Sequence, residues 1–131
     1  MVVERKRRRR FGVSLDASLA DRLDSIASAL RVDRSSLVER AVRNLVDDYR
    51  HFLESHDCWG LLVLLNTEGM RGTVYSLIEK YRDIVVSASH VHGGEGCVEV
   101  LAVKGPSDRI RELHEELERT GCSIRFIPLH R

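Results

Sequence analysis

His90, His92 and Cys97 stand together in the stretch SHVHGGEGCVEV, residues 89–100. Side chains two residues apart on a β-strand share a face, so a strand here presents both imidazoles on one side. The GGEG that follows has the composition of a hairpin turn, and a tight turn brings Cys97 back beside them on the neighbouring strand. Imidazole and thiolate together suit Ni(II), Cu(II), Zn(II) or Co(II), and a nitrogen and sulfur set held flat favours a square-planar ion such as Ni(II). Three donors are supplied and a fourth must come from elsewhere. From spacing alone a second reading stays open, with the histidines on a solvent-facing strand and Cys97 a small hydrophobe. His51, His56, His114 and His130 are scattered and read as surface residues.

The elements that must position these residues follow from the pattern of the back half. WGLLVLLN (59–66) is an apolar run of strand length, and TEGMRG supplies a turn. Val74, Leu77, Ile78 and Tyr81 recur at helical spacing over residues 72–82. DIVVSASHVH and CVEVLAVKG read as two strands joined by the turn. PSDRIRELHEELERTG reads as a helix opened by Ser107 or Asp108 and closed by Gly121, with Ile110, Leu113 and Leu117 inward. CSIRFIPL is a last strand. The order is βαββαβ, the split plan of ferredoxin-like folds, which hosts many functions and decides none.

The front half is built differently. Six basic residues, Arg5 to Arg10, precede an alternating segment with Phe11, Val13 and Leu15 on one face and Arg10, Gly12 and Ser14 on the other. One strand cannot satisfy its own backbone, so it must pair. Leu19, Leu23, Ile26 and Leu30 then mark a helix with Asp16 or Ser18 as N-cap. After the RVDRSS loop a second helix, capped by Asp33, carries Leu37, Val38, Ala41, Val42, Leu45 and Val46 as an apolar stripe. Strand, helix, helix is too little to bury a core alone, and dimerisation through the strand and second helix solves both problems. DDYRHFLESHDC (47–58) reads as a helical extension fading into a linker.

Charge agrees with this division. Residues 1–50 hold 12 Lys/Arg against 8 Asp/Glu, and residues 51–131 hold 9 against 12, so a basic front and an acidic back lie behind a net charge of +1. That asymmetry fits a front half that meets a polyanion. Three cysteines at wide spacing make no disulfide framework and point to a reducing interior. No apolar run approaches a membrane span and the opening lacks a signal core, so a cytoplasmic protein is expected. A hydrolytic metalloenzyme needs an open metal position and a general base. Glu95 and Glu99 are near in sequence, but no substrate pocket is suggested, and the protein is not expected to be an enzyme.

The stretch from Arg7 to Val46 resembles the ribbon-helix-helix family of DNA-binding proteins, in which the strands of two subunits pair and enter the major groove. The resemblance implies that Arg10, Gly12 and Ser14 face base edges, with Arg10 suited to guanine and Gly12 without a side chain to read with. Arg34 and Ser35, at the start of the second helix, would meet a phosphate, and Arg7, Arg8 and Arg9 would add salt-dependent phosphate contacts. With HVH, a short turn and CVEVLAVKG in the back half, the chain is similar to the NikR family of nickel-responsive regulators from Arg10 to Leu129.

That likeness implies an α+β protein with a ribbon-helix-helix (βαα) domain over 1–50, a linker over 51–58, and an ACT-like βαββαβ metal-sensing and tetramerisation domain over 59–131. It implies a homotetramer, a dimer of dimers, that binds palindromic half-sites in double-stranded DNA and represses metal uptake when Ni(II) occupies His90, His92 and Cys97. The family's fourth ligand is a histidine from an adjacent subunit, eleven residues before the first histidine of HVH. Glu79 stands there in this chain, and the hairpin turn is shorter by one residue. A carboxylate is a harder donor than imidazole, which admits Zn(II) or Co(II). A regulator of the same build that senses another metal or an organic molecule is the alternative.

Overall fold

The computed structural model describes residues 7–94 and 96–129. Arg5, Lys6, Glu95 and His130 lie outside the described residues. The chain divides after Ala41 into two compact units.

In the first unit, Asp16 caps the helix α1 (Ala17–Leu30), its Oδ1 accepting from the Ser18 N–H at 3.2 Å. Arg31 closes α1 in the left-handed region, with φ 55. Asp33 begins α2 (Arg34–Asp48), whose residues from Val42 on belong to the second unit: Ser36 donates to Asp33 through both N–H and hydroxyl, at 2.7 and 3.0 Å. Both caps satisfy donors that a first helical turn leaves orphaned. The alternating segment 10–15 forms no strand within this chain. A strand exists only as a ladder between two backbones, and no described segment of the chain offers the second one there. Phe11 is accordingly 80% exposed, and Val13, Leu19, Ile26, Val42 and Leu45 are exposed with it. Each is an apolar residue that the amphipathic pattern assigns to an interior face.

The second unit holds a four-stranded antiparallel sheet of β1 (Asp57–Leu65), β2 (Val85–Gly93), β3 (Gly96–Pro106) and β4 (Ser123–Pro128), in the order β2-β3-β1-β4. Helices α3 (Arg71–Lys80) and α4 (Ser107–Arg119) follow β1 and β3, giving the βαββαβ order expected. Alternation fixes the core: Leu62 and Leu64 of β1, Leu101 and Val103 of β3 and Phe126 of β4 share one face. That face packs against Val74 of α3 and Ile110, Leu113 and Leu117 of α4. Gly60 is required by this packing, since a Cβ there would lie 2.5 Å from Phe126 Cζ and 2.7 Å from the Ile127 carbonyl oxygen. On the opposite face the ladder aligns Leu61 with Ala102 and Ile127, and Val63 with Val100. Val98 is aligned there with Leu65 and Val91. Trp59, Val91 and Ile127 on that side are exposed.

Three details of the back half differ from expectation. Ser107 does not cap α4 but is its first residue: its Oγ accepts from the His56 N–H while its own N–H donates to the His56 carbonyl, both at 2.9 Å. Gly121, with φ +82, follows the helix end as expected. Residues 51–58, read as a helical extension fading into a linker, are packed at both ends. Arg50–Phe52 form a single 3-10 turn whose His51 is 2% exposed, and Cys58, already in β1, is buried. His51 and His114 are core residues rather than surface ones: the His51 ring packs on Phe52 and Phe126, and its Nε2 meets His114 Nδ1.

Candidate metal centre

The ladder of β2 and β3 sets Gly93 opposite Gly96, His92 opposite Cys97 and His90 opposite Glu99. Opposite residues share a face, so all four side chains emerge on the side where Leu101 and Val103 meet the helices. The donor atoms of His90, His92 and Cys97 lie within 4.8 Å of one another, a group of three that could hold a metal ion. His92 Nδ1 is 3.1 Å from Cys97 Sγ. Cys97 is buried while His92 is exposed, so the group opens to solvent at the hairpin end of an edge strand.

Two carboxylates hold this group from behind. Glu99 is 6% exposed, and its Oε1 accepts a hydrogen bond from His90 Nδ1. An ionised carboxylate only accepts, so Nδ1 carries the imidazole proton and Nε2 is left bare as a donor to metal. Glu68, in the loop before α3, accepts from the Cys97 N–H at 2.5 Å, and Thr67 donates its N–H to the Cys97 carbonyl at 3.3 Å. Gly96 makes room for that grip, as a Cβ on it would lie 2.5 Å from Glu68 Oε1. Glu99 and Glu68 were not among the expected site residues. For Glu99 the signal existed: an antiparallel hairpin that pairs 92 with 97 must pair 90 with 99.

Glu79 is not brought to this group within the chain. It is exposed on α3, with its Oε1 2.9 Å from the Arg82 guanidinium. Of the residues expected to meet DNA, Arg7, Arg8, Arg9, Arg10, Gly12, Ser14 and Ser35 are exposed. Arg8 is 3.3 Å from Glu39. Arg34 is engaged elsewhere: Nε and Nη2 reach the two oxygens of Asp24 on α1 at 2.7 and 2.9 Å, a two-point pair that also holds the Asp24 carboxyl below the usual range. The Arg34 guanidinium thereby ties α1 to α2.

Comparison with known proteins agrees with both halves. A family model described as the NikR C terminal nickel binding domain matches residues 66–124, and one described as ribbon-helix-helix protein, copG family, matches residues 9–49. Three similar proteins are assigned as nickel-responsive regulators. That of Thermococcus onnurineus is 35% identical over 118 residues, covering 82% of each chain. That of Thermococcus kodakarensis is 34% identical over 117 residues with the same coverage. The one from Dictyoglomus turgidum is 32% identical over 120 residues, or 82% of this chain and 84% of its own. No described helix is long and apolar enough to cross a membrane. With a ribbon-helix-helix front and a histidine and cysteine group in its back domain, the chain belongs to the NikR family of metal-responsive, DNA-binding transcription regulators.

Proposed function

We propose that this regulator binds Ni(II) through His90 Nε2, His92 and Cys97, and that occupancy tightens its hold on a palindromic operator and represses metal uptake. The observation that carries the reading is the convergence of those three donors within 4.8 Å at the end of the β2–β3 hairpin. The donor set fits: two imidazoles and a thiolate match the ligand preference of Ni(II), Cu(II) and Zn(II). A bound ion would supply a fixed charge that draws these side chains into one arrangement. The chain's own residues do the rest. Glu99 fixes the tautomer of His90, while Glu68 and Thr67 hold the backbone of Cys97.

Two apolar faces support a homotetramer, a dimer of dimers. The exposed apolar residues of segment 11–15, α1 and α2 need a second copy to bury them, and that pairing also completes the ribbon that reads DNA. The sheet face bearing Trp59, Val91 and Ile127 offers a second interface, between back domains. In such an assembly Glu79 of an adjacent subunit is the fourth ligand. Its carboxylate is the specific feature that favours a second reading, Zn(II) or Co(II) in place of Ni(II).

Metal content of protein purified without a histidine tag, and of its Cys97→Ala variant, tests the ligand assignment. One metal ion per subunit, lost in the variant while non-specific DNA binding remains, is the expected outcome. Equal metal affinity in the two proteins contradicts it.

A further inference from the structure

Two buried histidines that the metal centre does not use bind the end of α2 to α4. His114 Nε2 is 3.2 Å from Glu118 Oε1, an acceptor, so Nε2 carries the proton and Nδ1 is bare. His51 Nε2, 2.6 Å from that Nδ1, must then donate, which leaves His51 Nδ1 bare. That atom is buried without a hydrogen-bond partner among the described residues. The Tyr49 hydroxyl donates to the same Glu118 oxygen at 2.8 Å. Tyr49 and His51 lie just beyond α2, so a directional chain from His51 through His114 to Glu118 fixes the 3-10 turn on α4.

We propose that this chain is a clasp that stays closed only while both imidazoles are neutral, and that one added proton opens it and frees residues 49–54 from α4. A proton placed on His114 Nδ1 sets two N–H groups against each other at 2.6 Å. The chain can relieve this only by shifting the His51 proton to Nδ1, where a buried N–H has no acceptor. Either arrangement buries an unpaired donor together with a charge, and both penalties vanish when the turn lifts into water.

The surrounding groups set the balance. On α4, Glu118 and Glu115 favour a charged His114, and Arg111 opposes charge on His51. From the loop before β1, His56 opposes charge on His51 as well. At the end of α2, Asp48 favours a charged His114 but is 2.9 Å from Arg125 of β4, which draws on the same carboxylate. Burial is the largest influence on both rings and keeps them neutral.

The test is a pH titration of the full chain carrying 15N-histidine, following the ring-nitrogen tautomers. It runs beside hydrogen exchange at the amides of Phe52, Leu53 and Glu54, which are hydrogen-bonded within the turn. Expected are Nε2–H tautomers on both rings at neutral pH, and one shared transition below the free-histidine value of about 6.5. At that transition the three amides lose protection while β1 and β3 keep theirs. An Nδ1–H tautomer on either ring, independent titration near the free value, or protection unchanged through the transition overturns the proposal.

His51→Phe keeps a ring against Phe52 and Phe126 and should remove the acid-induced loss of protection. Glu118→Gln removes the anion that favours charge on His114 and should move the transition to lower pH; an unmoved midpoint also overturns the proposal. Should His51→Phe fail to fold, Glu118→Gln decides alone. None of these readouts involves metal or DNA, so they stand apart from the reading of the metal centre.

Discussion

Glu99 stands directly opposite His90 in the β2–β3 ladder, and its buried carboxylate accepts the Nδ1 proton of that imidazole. The pairing leaves a two-tautomer ring with one defined bare nitrogen, Nε2. Glu99→Gln keeps the shape but makes the bond weaker and lets its direction reverse. Metal affinity, measured by competition with a chelator, should fall about 10- to 100-fold. Affinity equal to that of the parent protein would remove Glu99 from the site.

The close approach of β1 to β4 at Gly60 gives a prediction about stability alone. A methyl group there meets Phe126 Cζ and the Ile127 carbonyl within 2.7 Å, so one strand must shift. Gly60→Ala should cost about 1–3 kcal/mol, read from the midpoint of urea unfolding. A midpoint within error of the parent's would mean that the sheet accommodates the methyl freely.

Acid should destabilise the second unit through its buried histidines. Burial pulls His51 down to about 3 and lowers His114, so between the ordinary histidine value near 6.5 and those lower values the unfolded chain binds more protons than the folded one. Stability therefore rises with pH across that window. It is full above the ordinary value and is lost as pH falls toward about 3. Urea midpoints at pH 7 and pH 5 should differ in that direction, and His51→Phe should narrow the difference. A midpoint that does not fall at pH 5 would contradict the neutral assignment.

The basic arm should act through salt. Arg7, Arg9 and Arg10 are exposed, and none has an ion-pair partner among the described residues. Replacing Arg7 and Arg9 by alanine should make the dependence of log K on log salt shallower by about 0.9 for each phosphate left without its arginine. Arg10→Ala should instead weaken operator binding more than non-specific binding. Equal losses on both kinds of DNA would assign Arg10 to the phosphates as well.

The back domain was legible because each element carries its own period. Val74, Leu77, Ile78 and Tyr81 announce α3, and the alternation from Cys97 to Val103 announces β3. What stayed hidden depends on register or on partners. Glu99 enters the site only once Gly93 is known to pair with Gly96. His114 directly follows Leu113 on the inward stripe of α4, a position that signals burial, yet its polarity suggested surface. The engagement of Arg34 by Asp24 joins two helices ten residues apart in sequence, and helical periodicity gives no account of it. The ribbon strand was read from alternation, but its ladder needs a second backbone that none of the described residues supplies.

Metal at His90, His92 and Cys97 is proposed to control DNA binding. This control is tested most directly by titrating metal-free protein with Ni(II), and in parallel with Zn(II) and Co(II). The thiolate-to-metal absorption is recorded together with binding to a palindromic DNA pool. Expected is a transition at one ion per subunit, strongest for Ni(II), with specific DNA affinity rising in step and both changes abolished by Cys97→Ala. Specific DNA binding that is indifferent to all three metals would contradict it.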